Sequence, residues 1–245
     1  MIGAVDIGGT KLAVGMVTES GQVLSRKESP TDAGRYVNGL ATIAGLLRET
    51  AQLAGVEITG IGIGSTGPVD PFTGKFGEVD FLPGWRGQNP AEDLARMFHV
   101  QVALENDADA AAMAEAGWGT GKNKSRLIYV TIGTGIGGGI VFDGHLYRGV
   151  DGSHPELGHQ VIDPSGPLCS CGFRGCWNRW LRGPLWSLGF RLKRQLSIRI
   201  ANISPPSASA NSRRRAMCWL ARPSNERPTT WVLVWPISSI CSRPT

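Results

Sequence analysis

An α/β fold is predicted by two observations. Strand-like apolar runs alternate with helical stretches along the first 142 residues, and strand pairs near both ends of that region are closed by glycine-rich turns. Residues 1–5 read as a strand, residues 6–11 (DIGGTK) as a tight glycine turn and residues 12–17 as a second strand, together a hairpin. Residues 37–54 set Leu40, Ile43, Leu46, Leu47 and Leu53 at near-helical spacing, and residues 58–63 form a buried strand ending in the loop GSTGPVD. Residues 90–98 read as a short helix with Asn89 as N-cap and Pro90 at the first helical position. A strand over 100–104 and an alanine-rich helix over 108–116 flank Glu105, Asn106 and Asp107. Residues 127–132, the turn GTGIGGG and residues 140–142 make the second glycine-turned hairpin. A break in alanine content near 118–124 separates an N-terminal lobe, 1–117, from the start of a larger lobe, 118–177, and leaves 178–245 as a third segment.

With 245 residues, 41% hydrophobic and 18% charged, the chain can bury one sizeable core or two modest lobes and is too apolar for a disordered protein. Its formal charge of +5 is a sum of unlike parts. Residues 1–176 hold 13 Lys and Arg against 19 Asp and Glu, net −6, whereas residues 177–245 hold 12 against 1, net +11. Glycine and tryptophan divide at the same place: 32 of 34 glycines precede residue 177, and six of eight tryptophans fall from it onward. No apolar stretch approaches the roughly 18 residues of a membrane span, and no signal-peptide pattern opens the chain, so a cytoplasmic protein with no membrane partner is expected. Five cysteines, three of them at Cys169, Cys171 and Cys176, suit a metal site better than a disulfide framework.

Each glycine turn can offer successive backbone N–H groups to an anion, because glycine permits close approach and positive φ. An ordinary tight hairpin is the simpler reading of either turn alone. Thr10, Lys11 and Thr134 add hydroxyl and ammonium donors suited to phosphate. Neither turn matches the P-loop or the dinucleotide fingerprint, so a phosphate cradle of another architecture is implied. Asn106 and Asp107 stand where a strand ends and a helix begins, and one of them could simply cap that helix. Alternatively Asp107 accepts the proton of a substrate hydroxyl as that oxygen attacks a γ-phosphate, with Asn106 orienting the acceptor and Asp6 holding Mg2+ through water. His159, Cys169, Cys171 and Cys176 have the residue types and spacing of a closed structural zinc shell. Glu156, three residues before His159, would be drawn into the same loop and could present its carboxylate to a polyol.

Seven motifs occur in order: DIGGTK at 6–11, GSTGPVD at 64–70, LPGW at 82–85, ENDADAAAMAE at 105–115, GTGIGGGIVFDG at 133–144, HPELGH at 154–159 and CSCGFRGC at 169–176. Across residues 2–177 they resemble the ROK family of repressors, open reading frames and sugar kinases. The resemblance implies a two-lobed actin/hexokinase-type (ribonuclease H-like) ATPase fold, with ATP phosphates between the two turns and a hexose in the cleft. It implies Asp107 as catalytic base, and Gly67, Asn106, Asp107, Glu156 and His159 as sugar contacts. Asp6, Gly8, Gly9, Thr10, Lys11, Gly133, Thr134, Gly135 and Gly137 would form the nucleotide site, and His159 would join Cys169, Cys171 and Cys176 on structural Zn2+. ATP and Mg2+ are the expected co-substrate and cofactor, with polyphosphate as an alternative donor. The sugar would be glucose or an N-acetylhexosamine such as N-acetylmannosamine, phosphorylated at its 6-hydroxyl.

Three positions depart from the family pattern. Asp109 stands where a second asparagine is usual, Phe81 stands where asparagine is common before LPGW, and Asn178 stands where GCxE would place a sugar-binding glutamate. Tryptophan has the single codon TGG. Reading Trp177–Asn178 one base earlier therefore joins its last G to the AA of asparagine and forces GAA, a glutamate codon. In that frame NRWLRGPLW can yield EQVASGTAL, with the family's ExxxSG pattern, and TTWVLVWPISSICS can yield DYLGVGLANLINLF, which resembles its C-terminal helix. Residues 178–245 thus read as an out-of-frame tail, expected to lack order, and the arginine excess and the single acid Glu226 follow from that.

The expected function is ATP-dependent hexose phosphorylation. An inactive remnant of such a kinase is one alternative, because the chain as written lacks the carboxylate at 178 and the later helices. A sugar-sensing regulator of the same family is another; its helix-turn-helix domain would precede the first turn, which here begins at Asp6. The basic tail carries no recognisable nucleic-acid motif, so no nucleic-acid partner is expected. A homodimer is expected where the tail is in frame.

Overall fold

The computed structural model of the chain describes residues 1–132, 135–181, 219–220 and 231–236. Two compact units form, Met1–Ser125 with Gly139–Pro155 and Arg126–Gly138 with Glu156–Thr245. The first holds strands β1 (Ile2–Ile7), β2 (Lys11–Val17), β3 (Val23–Pro30), β4 (Gly60–Ser65) and β7 (Gln101–Asn106) in one sheet of order β3-β2-β1-β4-β7. β1, β2 and β3 are an antiparallel meander, and β1, β4 and β7 run parallel. The parallel register sets Asp6 beside Gly64 and Gly64 beside Glu105, then Ile7 beside Ser65 and Ser65 beside Asn106. The carboxyl ends of three strands therefore meet on one edge, where open α/β sheets bind ligands.

Helix α1 (Tyr36–Ala54) covers this sheet because Tyr36, Gly39, Ile43, Leu47 and Thr50 recur at helical spacing on its buried face. Gly55 ends it at φ 65°, the left-handed conformation that glycine adopts freely. Leu53, expected on the buried stripe, is 66% exposed, because it points away from the face that Leu47, Thr50, Ala51 and Ala54 turn to the core. Val5, Ile7, Leu12, Val14, Met16, Ile61, Ile63 and Leu104 complete the core with Leu82, Trp85 and Leu94. Helix α2 (Pro90–Phe98) starts as predicted, with the Asn89 side chain accepting from the Glu92 N–H at 3.0 Å. Strands β5 (Val69–Asp70) and β6 (Lys75–Phe76) form a short antiparallel hairpin between β4 and α2.

The sequence reading missed β3, whose charged, largely exposed residues carry no apolar alternation; it is the sheet's edge strand. Asp6, assigned to the turn, lies inside β1 opposite Ala13, and the turn shrinks to residues 8–10. Helix α3 (Asp107–Gly117) starts at Asp107, one residue earlier than expected, because Asn106 caps it.

In the second unit β8 (Arg126–Ile132) pairs antiparallel with β12 (Trp231–Pro236), which pairs with β11 (Trp219–Leu220). Both β11 and β12 fall in the segment expected to lack order, and the run WVLVW has the aromatic and β-branched composition that suits a strand. The strand order is β10-β9-β8-β12-β11, where β9 is Ile136–Phe142, of which Gly139–Phe142 count with the first unit, as does β10 (His145–Leu146). β9 begins inside the GTGIGGG run, so most of that expected turn is strand. A small core of Val130, Ile132 and Ile136 packs with Leu157 and Trp177, and α4 (Trp177–Leu181) follows the cysteine loops.

Candidate active site

In the first unit the turn after β1 is tight. The Gly8 N–H donates to the Lys11 carbonyl at 3.0 Å, and Thr31 Oγ1 donates to the Gly8 carbonyl at 2.7 Å. The Gly8 N–H is thus used within the turn, which leaves those of Gly9 and Thr10 for an anion. Neither Gly8 nor Gly9 takes a positive φ. Close approach is what requires glycine: a Cβ on Gly9 would lie 2.6 Å from Phe81 Cβ, and one on Gly8 3.1 Å from the Lys11 carbonyl oxygen. Lys11, first in β2, pairs its Nζ with Glu28 Oε1 at 3.0 Å, and Arg26 pairs with the same carboxylate.

Asn106 Oδ1 accepts from the N–H groups of Ala108 at 2.9 Å and Asp109 at 3.4 Å, which makes Asn106 the N-cap of α3 and aims the next side chain, Asp107, from the first turn. Gly67 faces the same side chain, since a Cβ there would lie 3.0 Å from Asn106 Nδ2. Asp107 and Asp6 are both exposed to solvent, and the protein around them desolvates part of each carboxyl. That desolvation pushes both carboxyls above the usual range. Asp107 adds its charge to the rise at Asp6, while Lys11 and Arg26 oppose it. At Asp107 the Ala108 N–H and His154 oppose the rise and Asp109 adds to it.

An ion pair and a histidine–carboxylate hydrogen bond bracket Asn106 and Asp107. Arg148 holds Glu105 through both guanidinium branches, one at 2.9 Å, and His154 Nδ1 meets Asp109 Oδ2 at 2.7 Å. Glu105, Asp109, Arg148 and His154 were not among the sequence-predicted site residues. Their partners are 43 and 45 positions away in the chain, beyond the reach of local periodicity.

In the second unit the ligand atoms of His159, Cys169, Cys171 and Cys176 all lie within 4.8 Å of one another. Cys169 Sγ is 3.6 Å from His159 Nδ1, and Cys171 Sγ is 3.5 Å from Cys176 Sγ. Those separations match the edges of a tetrahedron of thiolates and imidazole around a zinc-sized ion, so the residues fit the metal. Burial opposes ionisation of Cys169, but hydrogen bonds from Cys171, Cys176 and His159 outweigh it and draw its pKa down to about 6. Burial and the neighbouring thiols push Cys176 up to about 12. Glu156 is exposed at the start of a 3-10 turn that contains His159. Asn178 joins this group: its Oδ1 accepts from the Ile136 N–H at 3.1 Å and its Nδ2 lies 3.4 Å from His159 Nε2. Gly135 borders Asn178, Gly137 lies in β9, and Gly133 and Thr134 lie outside the described residues.

The crystal structure of a ROK hexokinase from Thermus thermophilus superposes with a TM-score of 0.66 at 32% identity, over 79% of this chain and 64% of that one. A ROK family glucokinase from Streptomyces griseus, solved in complex with glucose and AMPPNP, superposes at 0.63 with 31% identity, over 81% of this chain and 62% of that one. The fold is therefore the α/β actin/hexokinase type. The ROK family profile matches residues 2–195, and the chain belongs to the ROK family. A glucokinase from Thermotoga maritima is 38% identical over 174 residues, 70% of this chain and 54% of that protein. N-acetylmannosamine kinases and xylose repressors also match. The chain spans little more than half the length of the curated glucokinases it matches.

Proposed function

We propose that the active site phosphorylates a hexose from ATP, with Asp107 as general base. The observation that carries this reading is the placement of Asp107 at the end of β7, beside the ends of β1 and β4 and in the electrostatic field of Asp6. The sugar hydroxyl, taken as the 6-hydroxyl, gives its proton to the Asp107 carboxylate as its oxygen attacks the γ-phosphorus in line and ADP leaves. A raised pKa suits a base that must hold that proton. Asn106, Gly67, Glu156 and His159 would contact the sugar. The Gly9 and Thr10 N–H groups would meet the phosphates together with Gly133, Thr134, Gly135 and Gly137. Bound Mg2+ supplies charge neutralisation on the phosphates, and Asp6 is the residue that would hold it through water. His159, Cys169, Cys171 and Cys176 would carry structural Zn2+.

Glucose and N-acetylmannosamine are the two sugars to test, because relatives of both names match at similar identity. The chain as written is proposed to turn over weakly or not at all, since Asn178 has no carboxylate and residues 178–245 read as out of frame. The experiment compares ADP formation by this chain, by a version with one G restored after the Trp177 codon, and by the restored version carrying Asp107→Asn. Restored activity with glucose or N-acetylmannosamine, reduced about 10²–10⁴-fold by Asp107→Asn, is the expected result. Full turnover by the Asp107→Asn variant would remove the base assignment, and equal activity of the first two chains would remove the frame assignment.

A further inference from the structure

Asp109 is fully buried, and its Oδ1 has no hydrogen-bond partner among the described residues. It fits because Gly139 on β9 leaves space: a Cβ there would lie 2.8 Å from Oδ1 and 2.6 Å from Ala112 Cβ. The other oxygen, Oδ2, meets His154 Nδ1 at 2.7 Å, and the His154 side chain is itself 17% exposed. A buried carboxylate is destabilising unless a counter-charge accompanies it. His154 in its imidazolium form supplies that charge at hydrogen-bond distance.

The place of the pair in the fold is what gives it a role. Asp109 is two residues beyond Asp107 in the first turn of α3, and His154 sits at the end of the segment that Arg148 anchors on Glu105, one residue before Asn106. The segment is thus fastened on both sides of Asn106–Asp107. Arg148 also lies 5.8 Å from the Phe72 ring at the β5–β6 hairpin, which adds a third anchor. We propose that His154 and Asp109 are a positioning pair for the catalytic base: the imidazolium, locked onto the buried carboxylate, fixes a positive charge next to Asp107 and holds the Arg148–His154 segment against the start of α3. The proposal rests on the reading of Asp107 as base. Among the described residues, Asp107 and Asp109 of α3 are charged groups that act on His154, and Arg148, which pairs with Glu105, also feels the Asp109 charge. The favourable influence of His154 on ionised Asp107 agrees with this arrangement.

The full-length chain tests the pair without turnover. The His154 imidazole nitrogens are followed by long-range 1H–15N spectra from about pH 5 to pH 9, and the Asp107 carboxyl carbon by 13C spectra. Asp109→Asn is expected to lower the His154 midpoint by about one pH unit or more, a tenfold loss of proton affinity. His154→Gln is expected to raise the Asp107 midpoint, and His154→Lys, which returns a cation, to bring it back down. A His154 midpoint that Asp109→Asn leaves unmoved, or an Asp107 midpoint unmoved by His154→Gln, overturns the proposal. Should Asp109→Asn fail to fold by circular dichroism, the two His154 variants decide. Failure of the base reading shows separately, as retained turnover in Asp107→Asn of the restored kinase with these midpoints still shifted.

Discussion

The two units hold their candidate site residues by opposite means. In the first, Asp6, Gly67, Asn106 and Asp107 sit at the ends of parallel strands and at the start of a helix, over a core that includes Ile7, Leu12, Ile43, Leu47, Leu82, Trp85 and Leu94, each 0% exposed. In the second, His159 and the three cysteines sit on irregular loops over a small core of Val130, Ile132 and Ile136. Geometry in the first unit follows from backbone hydrogen bonding and apolar packing. In the second, the four ligand atoms lie within 4.8 Å of one another on loops, an arrangement that a bound ion would complete.

The largest expected effect that separates the units is metal removal. Cys176→Ser or a strong chelator should abolish binding of one zinc per chain, a site type worth on the order of 10 kcal/mol in binding. Hydrogen exchange should then lose protection over 161–177, where the Ile162 and Trp177 N–H groups donate to Gly175 and Gln160. Protection in β1, β4 and β7 should persist. Equal loss in both units would show that the first depends on the metal too. The reverse experiment is Leu47→Ala, which empties a fully buried position between α1 and the first sheet. It should cost about 2–5 kcal/mol in denaturant unfolding of the first unit and leave zinc stoichiometry at one.

The same contrast explains what the sequence made legible. The helix over 90–98 follows from Asn89 and Pro90, whose chemistry is local, and its observed bounds agree. The metal cluster follows from residue types that few other roles bring together at that spacing. β3 was not legible, because an edge strand needs no apolar face. The Asp109–His154 and Glu105–Arg148 pairs were not legible either: Asp109 registers in the sequence as a lone departure from an asparagine, and nothing in its neighbourhood names a histidine 45 residues on. Asn178 is the instructive case. Taken as the first residue of a foreign tail, it nevertheless accepts the Ile136 N–H through Oδ1 and sets Nδ2 against His159.

The smallest expected effect tests whether the first unit stores electrostatic cost at its strand ends. Burial and the nearby Asp107 charge raise the Asp6 carboxyl above its ordinary value of 3.8. A folded state that binds this proton more tightly than the unfolded chain loses stability as pH climbs from 3.8 through the raised value, and the full cost is present at neutral pH. Asp6→Asn should therefore stabilise the chain at pH 7. Because the side chain is exposed and solvent screens it, the gain should be about 0.5 kcal/mol. It should vanish below pH 3.8, where Asp6 is protonated in both states. Thermal melts of the two chains across that range are the measurement. A gain that survives at low pH would mean that the amide introduced by Asp6→Asn improves hydrogen bonding, whereas a loss at pH 7 would mean that the Lys11 and Arg26 charges outweigh burial and Asp107, making this corner of the sheet a net electrostatic support.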